Sequence, residues 1–387
     1  MTFLLLAVLG ATPPAAPSPG PIAVVTRAKT PASEVAAASL EAELTAALEA
    51  QGLTVVAVGE RFPAPAPDGT AAAKALQTGK DAYDNLDFDA AVTALSDAAS
   101  QWTKAPASAP PAQLAEAFLL LGAARLQAGA KADAVADLTR AQELEPALAP
   151  DWRLYGADVK KVFDDVRKSL AARPLVKVQL VSSPPGATVK ERGAALGVTP
   201  CEVSLPQGRH LLVFTRPGHS PGGVLQELKG GELTVTLSPA PAYQKARDLA
   251  ARAVTAEAFA APTLSPAAAE LGQAYGAQVV VAAVVDGPGA ALQAWNAGSR
   301  ARLTDVSLAG LGPEAARGAA GKVASWMKNS LVARVDDGTK PDAPTPVFKQ
   351  WWFWTGVGVV AAGAAVTAVA VAVPKGPKVP IVVLTSP

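Results

Sequence analysis

The stretch that decides the fold of this 387-residue chain is 175–219, which reads LVKVQLVSSPPGATVKERGAALGVTPCEVSLPQGRHLLVFTRPGH. Lys177 and Gln179 interrupt an apolar run, so that apolar and polar side chains alternate, as they do along a half-buried strand. Pro and Gly then recur at short intervals and mark turns. Short alternating strands between regular turns predict a small β-sandwich, and the pattern continues to residue 240.

Four of these turns carry a resemblance to a known family. They are Ser183-Pro184-Pro185-Gly186-Ala187, Gly197-Val198-Thr199-Pro200, Leu205-Pro206-Gln207-Gly208-Arg209-His210 and Arg216-Pro217-Gly218-His219. With them, residues 175–240 resemble the PEGA domain, although Pro185 stands where the motif that names the family has a glutamate. The resemblance implies a transthyretin-like or carboxypeptidase-regulatory-like sandwich on bacterial surface proteins, and the family has no catalytic residues to carry over.

Upstream of the sandwich, residues 68–173 predict helices with an internal repeat of 43 residues. Small and apolar residues coincide when the two units are aligned: Gly79 with Gly122, Ala91 with Ala134, Leu95 with Leu138, and Ala98 with Ala141. The pattern resembles the tetratricopeptide repeat, whose period is about 34 residues. The excess lies in an Ala/Pro-rich loop, 103–111, and the aromatic residue expected near Arg125 is absent.

A third helical unit, 151–170, could cap these repeats. For the repeats as a whole we consider two interpretations. One is a groove that holds a partner peptide, and the other is a spacer without a ligand.

Two further segments predict α/β structure. Residues 21–62 read as strand, helix and strand, with strand candidates at 22–27 and 53–58. Residues 241–333 form an α/β lobe in which 279–285 is a continuous apolar run, suited to a strand that is covered on both faces. Because two strands and a helix bury too little surface to stand alone, we expect the first segment to join the second in one sheet.

The two ends of the chain predict export and a membrane anchor. Residues 1–20 contain an apolar run of the length found in secretory signal peptides. A segment that begins at Trp351 and ends at Val373 has 23 residues and no charge. As a helix it would reach about 34 Å, enough for a bilayer core of about 30 Å. The alternative is a buried core helix.

Residues 334–350 form a linker before this segment, and the short tail 374–387 follows it. Lysines at the start of the tail place it in the cytoplasm under the positive-inside rule. We therefore expect an exported, single-pass membrane protein with its bulk in the periplasm.

Composition excludes several classes of function. The chain has 34 Lys+Arg against 33 Asp+Glu, a formal net charge of +1, which argues against a nucleic-acid partner. Its one cysteine, Cys201, excludes an internal disulfide and a Cys-based zinc cluster. The only two histidines are His210 and His219, and two imidazoles alone make a poor metal site.

One stretch imitates a catalytic motif. Residues 218–222, Gly-His-Ser-Pro-Gly, fit the nucleophile elbow of hydrolases, but no histidine follows to serve as the base, and Pro221 opposes the helix that the elbow needs. Another stretch, 81–89, is acidic but lacks the central Gly and the terminal Glu of a calcium loop. The sequence predicts no catalytic, cofactor-binding or metal-binding residues.

The sequence thus predicts a multidomain α+β protein with helical repeats like tetratricopeptide repeats, a small PEGA-like β-sandwich, an α/β lobe and one C-terminal transmembrane helix. As function we expect a non-enzymatic, membrane-anchored envelope scaffold. Its partners would be a protein held by the helical repeats, or a cell-wall polymer or surface component, with the membrane reached through Trp351 to Val373. The alternatives are an envelope sensor or receptor, and an enzyme with an unrecognised site in the α/β lobe.

Overall fold

The computed structural model describes residues 20–332. The predicted signal peptide, the linker, the segment 351–373 and the tail therefore lie outside the described residues, apart from the last residue of the signal peptide. The chain divides into two units, Met1–Met327 and Lys328–Pro387, and nearly all described residues belong to the first.

The described residues form helices and strands in a mixed order. The helices are α1 (Glu34–Ala50), α2 (Val58–Arg61), α3 (Thr70–Asp84), α4 (Phe88–Lys104), α5 (Pro111–Gln127), α6 (Lys131–Leu144), α7 (Ala157–Ala171), α8 (Pro241–Ala253), α9 (Ala256–Ala260), α10 (Pro266–Tyr275) and α11 (Pro313–Val332). The strands are β1 (Ile22–Ala28), β2 (Leu175–Ser183), β3 (Thr188–Glu191), β4 (Ala194–Val198), β5 (Cys201–Pro206), β6 (Gly208–Thr215), β7 (Gly222–Leu228), β8 (Gly231–Thr236), β9 (Val279–Asp286), β10 (Gly289–Asn296) and β11 (Arg302–Leu308). Short 3-10 helices occur at Pro31–Ser33 and Pro106–Ser108.

The α/β lobe contains a four-stranded sheet in the order β1-β9-β10-β11. β1 pairs in parallel with β9, from Ile22 opposite Val279 to Ala28 opposite Val285, and the other pairs are antiparallel. The apolar run of β9 is buried along its whole length up to Asp286, because α1 and α11 cover one face of the sheet while α8 and α10 cover the other. The sheet therefore joins an N-terminal segment to a C-terminal one.

The second strand predicted near 53–58 is wrong as a strand. The chain makes one isolated parallel bridge there, between Val55 and Ile22. Ile22 donates from its backbone to the Thr54 carbonyl, and Val56 donates to the Ile22 carbonyl, both at 2.8 Å. The helical turn α2 begins three residues after the bridge and ends the extended segment.

The predicted sandwich contains seven strands in two sheets. One sheet has the order β5-β2-β8 and the other the order β4-β3-β6-β7. β2 runs parallel to β8 and antiparallel to β5. Apolar side chains from both sheets, such as Leu180 and Phe214, fill the space between them and are fully buried.

The helical part consists of two helical hairpins, α3 with α4 and α5 with α6, followed by α7. Equivalent glycines hold each hairpin together. A Cβ atom on Gly79 would lie 2.5 Å from Leu95 Cγ, and one on Gly122 would lie 2.8 Å from Leu138 Cγ. The two contacts are 43 residues apart, so the repeat in the sequence is a repeat of close helix packing.

A buried ion pair occupies the position near Arg125 where an aromatic residue was expected. Asp137 of α6 is fully buried and accepts hydrogen bonds from Arg125 at 2.5 Å and from Arg140 at 2.8 Å. Burial raises the pKa of Asp137, and the two guanidinium groups act against that rise. Within the second hairpin, a charged contact therefore replaces the aromatic one.

The loop 103–111, which lengthens the repeat, packs against the sandwich. A Cβ atom on Gly223 of β7 would lie 2.1 Å from the backbone nitrogen of Ala107. Leu211 of β6 and Leu225 of β7 also contact the core of the helical part. The additional residues of the first repeat are thus the ones that join the helices to the sandwich.

The prediction of a single-pass membrane protein is contradicted. Among residues 20–332, no helix has both the length and the apolar character that a bilayer crossing requires. The longest of these helices, α11, has 20 residues but carries Glu314, Arg317, Lys322 and Lys328, and charged side chains are costly in hydrocarbon. The mixed α+β class stands for residues 20–332, and no helix of this range is suited to span a membrane.

We predict that Gly79→Ala and Gly122→Ala each destabilise the protein. Alanine gains about 1 kcal/mol of helix propensity over glycine. Overpacking a filled core costs about 1–3 kcal/mol, however, and Leu95 and Leu138 are both fully buried. A net loss of about 1 kcal/mol in the free energy of unfolding is expected from urea titrations followed by circular dichroism.

Gly318→Ala is the matched control, because nothing lies within 4 Å of a Cβ atom added to Gly318 on α11. This variant should gain up to about 1 kcal/mol. An equal gain in all three variants would contradict the close helix packing.

Candidate functional site

A polar cleft lies where the α/β lobe meets the β-sandwich. Its volume is about 520 Å³, within the range of about 300–1,000 Å³ that ligand sites occupy. The lobe contributes the end of β1, the first half of α1, and α8. The sandwich contributes the turn after β2, Arg216, and the end of β8. The walls of the cleft therefore come from stretches that lie far apart in the sequence.

The turn 216–219 of the sandwich fixes this junction. Gly218 has φ +73°, a conformation that favours glycine, and a Cβ atom there would lie 2.6 Å from Cδ1 of Tyr243. Its carbonyl oxygen accepts a hydrogen bond of 2.8 Å from the backbone of Ala240, just before α8. The next side chain, His219, meets the Tyr243 ring edge-on, with centroids 5.3 Å apart. The turn thus seats Tyr243 against the sandwich.

Glu41 of α1 is one of the carboxyl groups that line the cleft. The Thr26 hydroxyl of β1 lies 2.9 Å from Glu41 Oε2 and 2.8 Å from the Ala37 carbonyl oxygen. Burial raises the pKa of Glu41, while the charge of Arg216 and the hydrogen bond with Thr26 act in the opposite direction. The carboxyl group is therefore held in place and is less acidic than an exposed glutamate.

Two arginine side chains in the cleft have no hydrogen-bond or ion-pair partner among the described residues. Arg216 and Arg247 both line the cavity, and neither guanidinium group forms a hydrogen bond or an ion pair within residues 20–332. Arg27 differs, since its Nη1 donates to the carbonyl oxygens of Ala251 at 2.7 Å and Val254 at 3.4 Å. Two guanidinium groups therefore remain available to a ligand.

Two buried tyrosines complete the wall. Tyr243 and Tyr275 are each more than nine-tenths buried and line the same cavity. Burial raises the pKa of both phenols, and the nearby charge of Glu41 adds to the effect. Both hydroxyl groups are therefore protonated at neutral pH and can donate hydrogen bonds.

These residues were not predicted from the sequence as members of a site. Arg216 was quoted only as part of a family turn. Glu41 stands at an ordinary polar position of an amphipathic helix.

The motif at 218–222 is a turn followed by a strand. His219 is buried against Tyr243, and the Ser220 backbone donates to the Ser238 carbonyl oxygen at 2.8 Å. β7 begins at Gly222, where a nucleophile elbow would need a helix. The local geometry thus lacks the strand–turn–helix arrangement of that motif.

The two histidines have separate environments. His210 is buried in the sandwich, with Nδ1 2.6 Å from Glu191 Oε1 and Nε2 2.8 Å from the Pro206 carbonyl oxygen. Burial alone would lower its pKa, but these two acceptors outweigh burial and raise it. For His219, burial dominates and lowers the pKa to about 4. Relative to a free imidazole, protonation is therefore favoured at His210 and disfavoured at His219.

The remaining residues that the sequence singled out have structural roles. Asp87, in the acidic run, caps α4 by accepting from the Ala90 backbone at 3.1 Å. Cys201 is partly buried on β5, and burial raises its pKa. Across residues 20–332, no group of three or more His, Cys, Asp or Glu side chains is placed to hold a metal ion.

A second cavity, of about 700 Å³, lies along the groove between α6 and α7. Its apolar lining includes Leu126, Val135, Val162 and Leu170, and Val135 is 37% exposed. Charged side chains of both signs line the same groove: Lys131, Asp158, Lys161, Asp165 and Arg173. This α6–α7 groove on the helical part therefore combines apolar side chains with charges of both signs.

Comparison with known proteins identifies one module. The family model of the PEGA domain matches residues 175–223, which run from β2 to the start of β7. No curated protein and no solved structure matches the chain. The predicted PEGA domain is confirmed over these residues. The tetratricopeptide-like character of the helices and a bacterial envelope origin find no support in these comparisons.

We predict opposite pH dependences for the two histidines. The folded pKa of His210 is raised above its ordinary 6.5, so its contribution to stability is complete below about pH 6.5 and is lost as the pH rises through the raised value. The extra stability of the wild type over His210→Gln, about 1–3 kcal/mol at pH 6, should therefore shrink towards pH 9. Urea titrations between pH 5 and 9 measure it.

His219→Gln provides the contrast. Its folded pKa is lowered to about 4, so its contribution is present above pH 6.5 and is lost as the pH falls from 6.5 towards 4. A difference from the wild type that stays constant with pH in either variant would show that the assigned charge state is wrong.

Proposed function

We propose that the protein is a non-enzymatic scaffold whose helical part holds a protein partner. The helical hairpins have the repeated glycine contacts of close-packed helix pairs, which agrees with their resemblance to tetratricopeptide repeats. In this proposal the PEGA sandwich and the α/β lobe form the support against which the repeats are held. The observation that carries the proposal is the open groove between α6 and α7.

The order of the helices explains why this groove is open. The first four helices of the array form two hairpins, and α7 begins a third unit. The chain then passes from α7 into β2, so that α7 is not followed by a second helix of its own. In helical arrays each unit buries its apolar face against the next one. The α6–α7 groove is thus the place where a further helix would pack.

An amphipathic helix of a protein partner is the occupant that this geometry favours. The apolar side chains that line the groove can pack against the apolar face of such a helix, and the charged side chains of both signs can pair with its polar flanks. A glycan is less suited, because polysaccharides commonly stack on exposed aromatic rings. Among residues 20–332, the most exposed large apolar side chains are valines and leucines.

Site-specific photocrosslinking in the producing cell tests the proposal. A photoreactive residue at Ser169, which lines the groove, should capture a protein segment with apolar residues at helical spacing. The matched control is the neighbouring Lys168, which is exposed but does not line the groove. Equal capture at both positions, or capture of no protein at Ser169, would contradict the proposal.

Val135→Glu should then reduce capture at Ser169 by at least tenfold, because it places a charge against the apolar face of the partner. Val35→Glu is the control, since Val35 is also an exposed helical valine, on α1. Binding that survives Val135→Glu unchanged would exclude the α6–α7 groove as the site.

A further inference from the structure

The cleft between the lobe and the sandwich is a second site, distinct from the α6–α7 groove. We propose that it binds a small zwitterion of the amino-acid or short-peptide type, with Arg216 and Arg247 pairing with the carboxylate and Glu41 receiving the ammonium group. Tyr243 and Tyr275 form the wall between these two ends.

The charges of the cleft support a ligand that carries both signs. Three arginines and three carboxylates line it. On the cationic side, Arg27 already donates to backbone carbonyls, while Arg216 and Arg247 do not form such contacts with the described residues. Guanidinium groups bind carboxylates through parallel hydrogen bonds, which makes them suited to this end of the ligand.

The anionic end depends on the position of Glu41. Its carboxyl group is anchored by Thr26 and is close enough to Arg216 to be affected by its charge. A carboxyl group that has lost much of its water gains more from an ammonium partner than an exposed one does. Glu41 is therefore placed to recognise the amino end at a short distance from the arginines.

The two tyrosines distinguish this cleft, as a binding site, from an unspecific gap between two domains. Each ring is more than nine-tenths buried, yet each lines the cavity. Their hydroxyl groups remain protonated because burial raises the pKa of both. A ligand in the cleft thus meets a wall of two tyrosines, and the Gly218 turn holds one of them, Tyr243, in place.

Calorimetric titration of the full chain with trialanine at pH 8 tests the proposal. Free trialanine should bind, while N-acetylated and C-amidated trialanine should each bind at least tenfold more weakly. This comparison needs no altered protein. No binding of free trialanine, or equal binding of all three forms, would overturn the proposal. If acetate competed with trialanine as well as free trialanine itself does, the cleft would be a general anion site, which would also overturn the proposal.

Variants assign the two ends. Arg247→Gln, at an exposed position, should lose at least tenfold in affinity for free trialanine but little for the C-amidated form. Glu41→Gln should likewise lose at least tenfold in affinity for free trialanine but little for the N-acetylated form. Arg209→Gln is the control, since Arg209 lies on β6 of the same sandwich and does not line the cleft. A loss of affinity in Arg209→Gln as large as in the other two would contradict the assignment.

Discussion

The parallel pairing of β1 with β9 is the constraint on which the rest of the structure depends. Lys29 and Asp286, 257 residues apart, close the end of this strand pair with an ion pair of 2.6 Å between exposed side chains. Exposed pairs of this kind contribute little, so the buried faces of the two strands stabilise the pairing. The helices and the sandwich thus form a long insertion in the lobe, between α2 and α8. Lengthening such a closed loop costs only about 0.6 kcal/mol for each doubling.

The return point creates the cleft. β8 ends at Thr236 and α8 begins at Pro241, so the sandwich cannot move far from the lobe. The turn at Gly218 then packs on Tyr243, and Glu41, near the middle of α1, lies close enough to Arg216 for the arginine's charge to affect its pKa. The short connection therefore brings together charged groups that the sequence separates by more than 150 residues. These charged groups are available to a ligand because the short connection between β8 and α8 places the sandwich beside the lobe.

Local patterns predicted the parts of the fold that depend on local chemistry. The continuous apolar run of β9 required burial on both faces, and the alternation in β2 required a sheet with one covered face. The glycines at 79 and 122 marked close helix packing because only glycine leaves room there for the facing leucine. The strand near residue 53 was overestimated, since an apolar run shows β propensity but does not show where pairing ends.

The cleft and the membrane prediction show the limits of such patterns. Arg216, Glu41 and Tyr243 are each ordinary in their own segments, and their significance appears only when the sheet joins those segments. Hydropathy identifies an apolar segment at 351–373, but within residues 20–332 each helix is either too short or too charged to cross a bilayer. Local sequence patterns thus predict individual helices and strands better than they predict contacts between helices and strands that are distant in the sequence.

Disulfide trapping tests the β1–β9 pairing most directly. Ala28 and Val285 are in register, and neighbouring strands lie about 4.8 Å apart, within the reach of a disulfide. In a Cys201→Ser background, Ala28→Cys with Val285→Cys should form an intramolecular disulfide that mass spectrometry of a digest finds as a linked peptide. Ala28→Cys with Ser307→Cys should not, because β11 is at the opposite edge of the sheet. Linkage of the second pair, or of neither pair, would contradict the pairing on which this account rests.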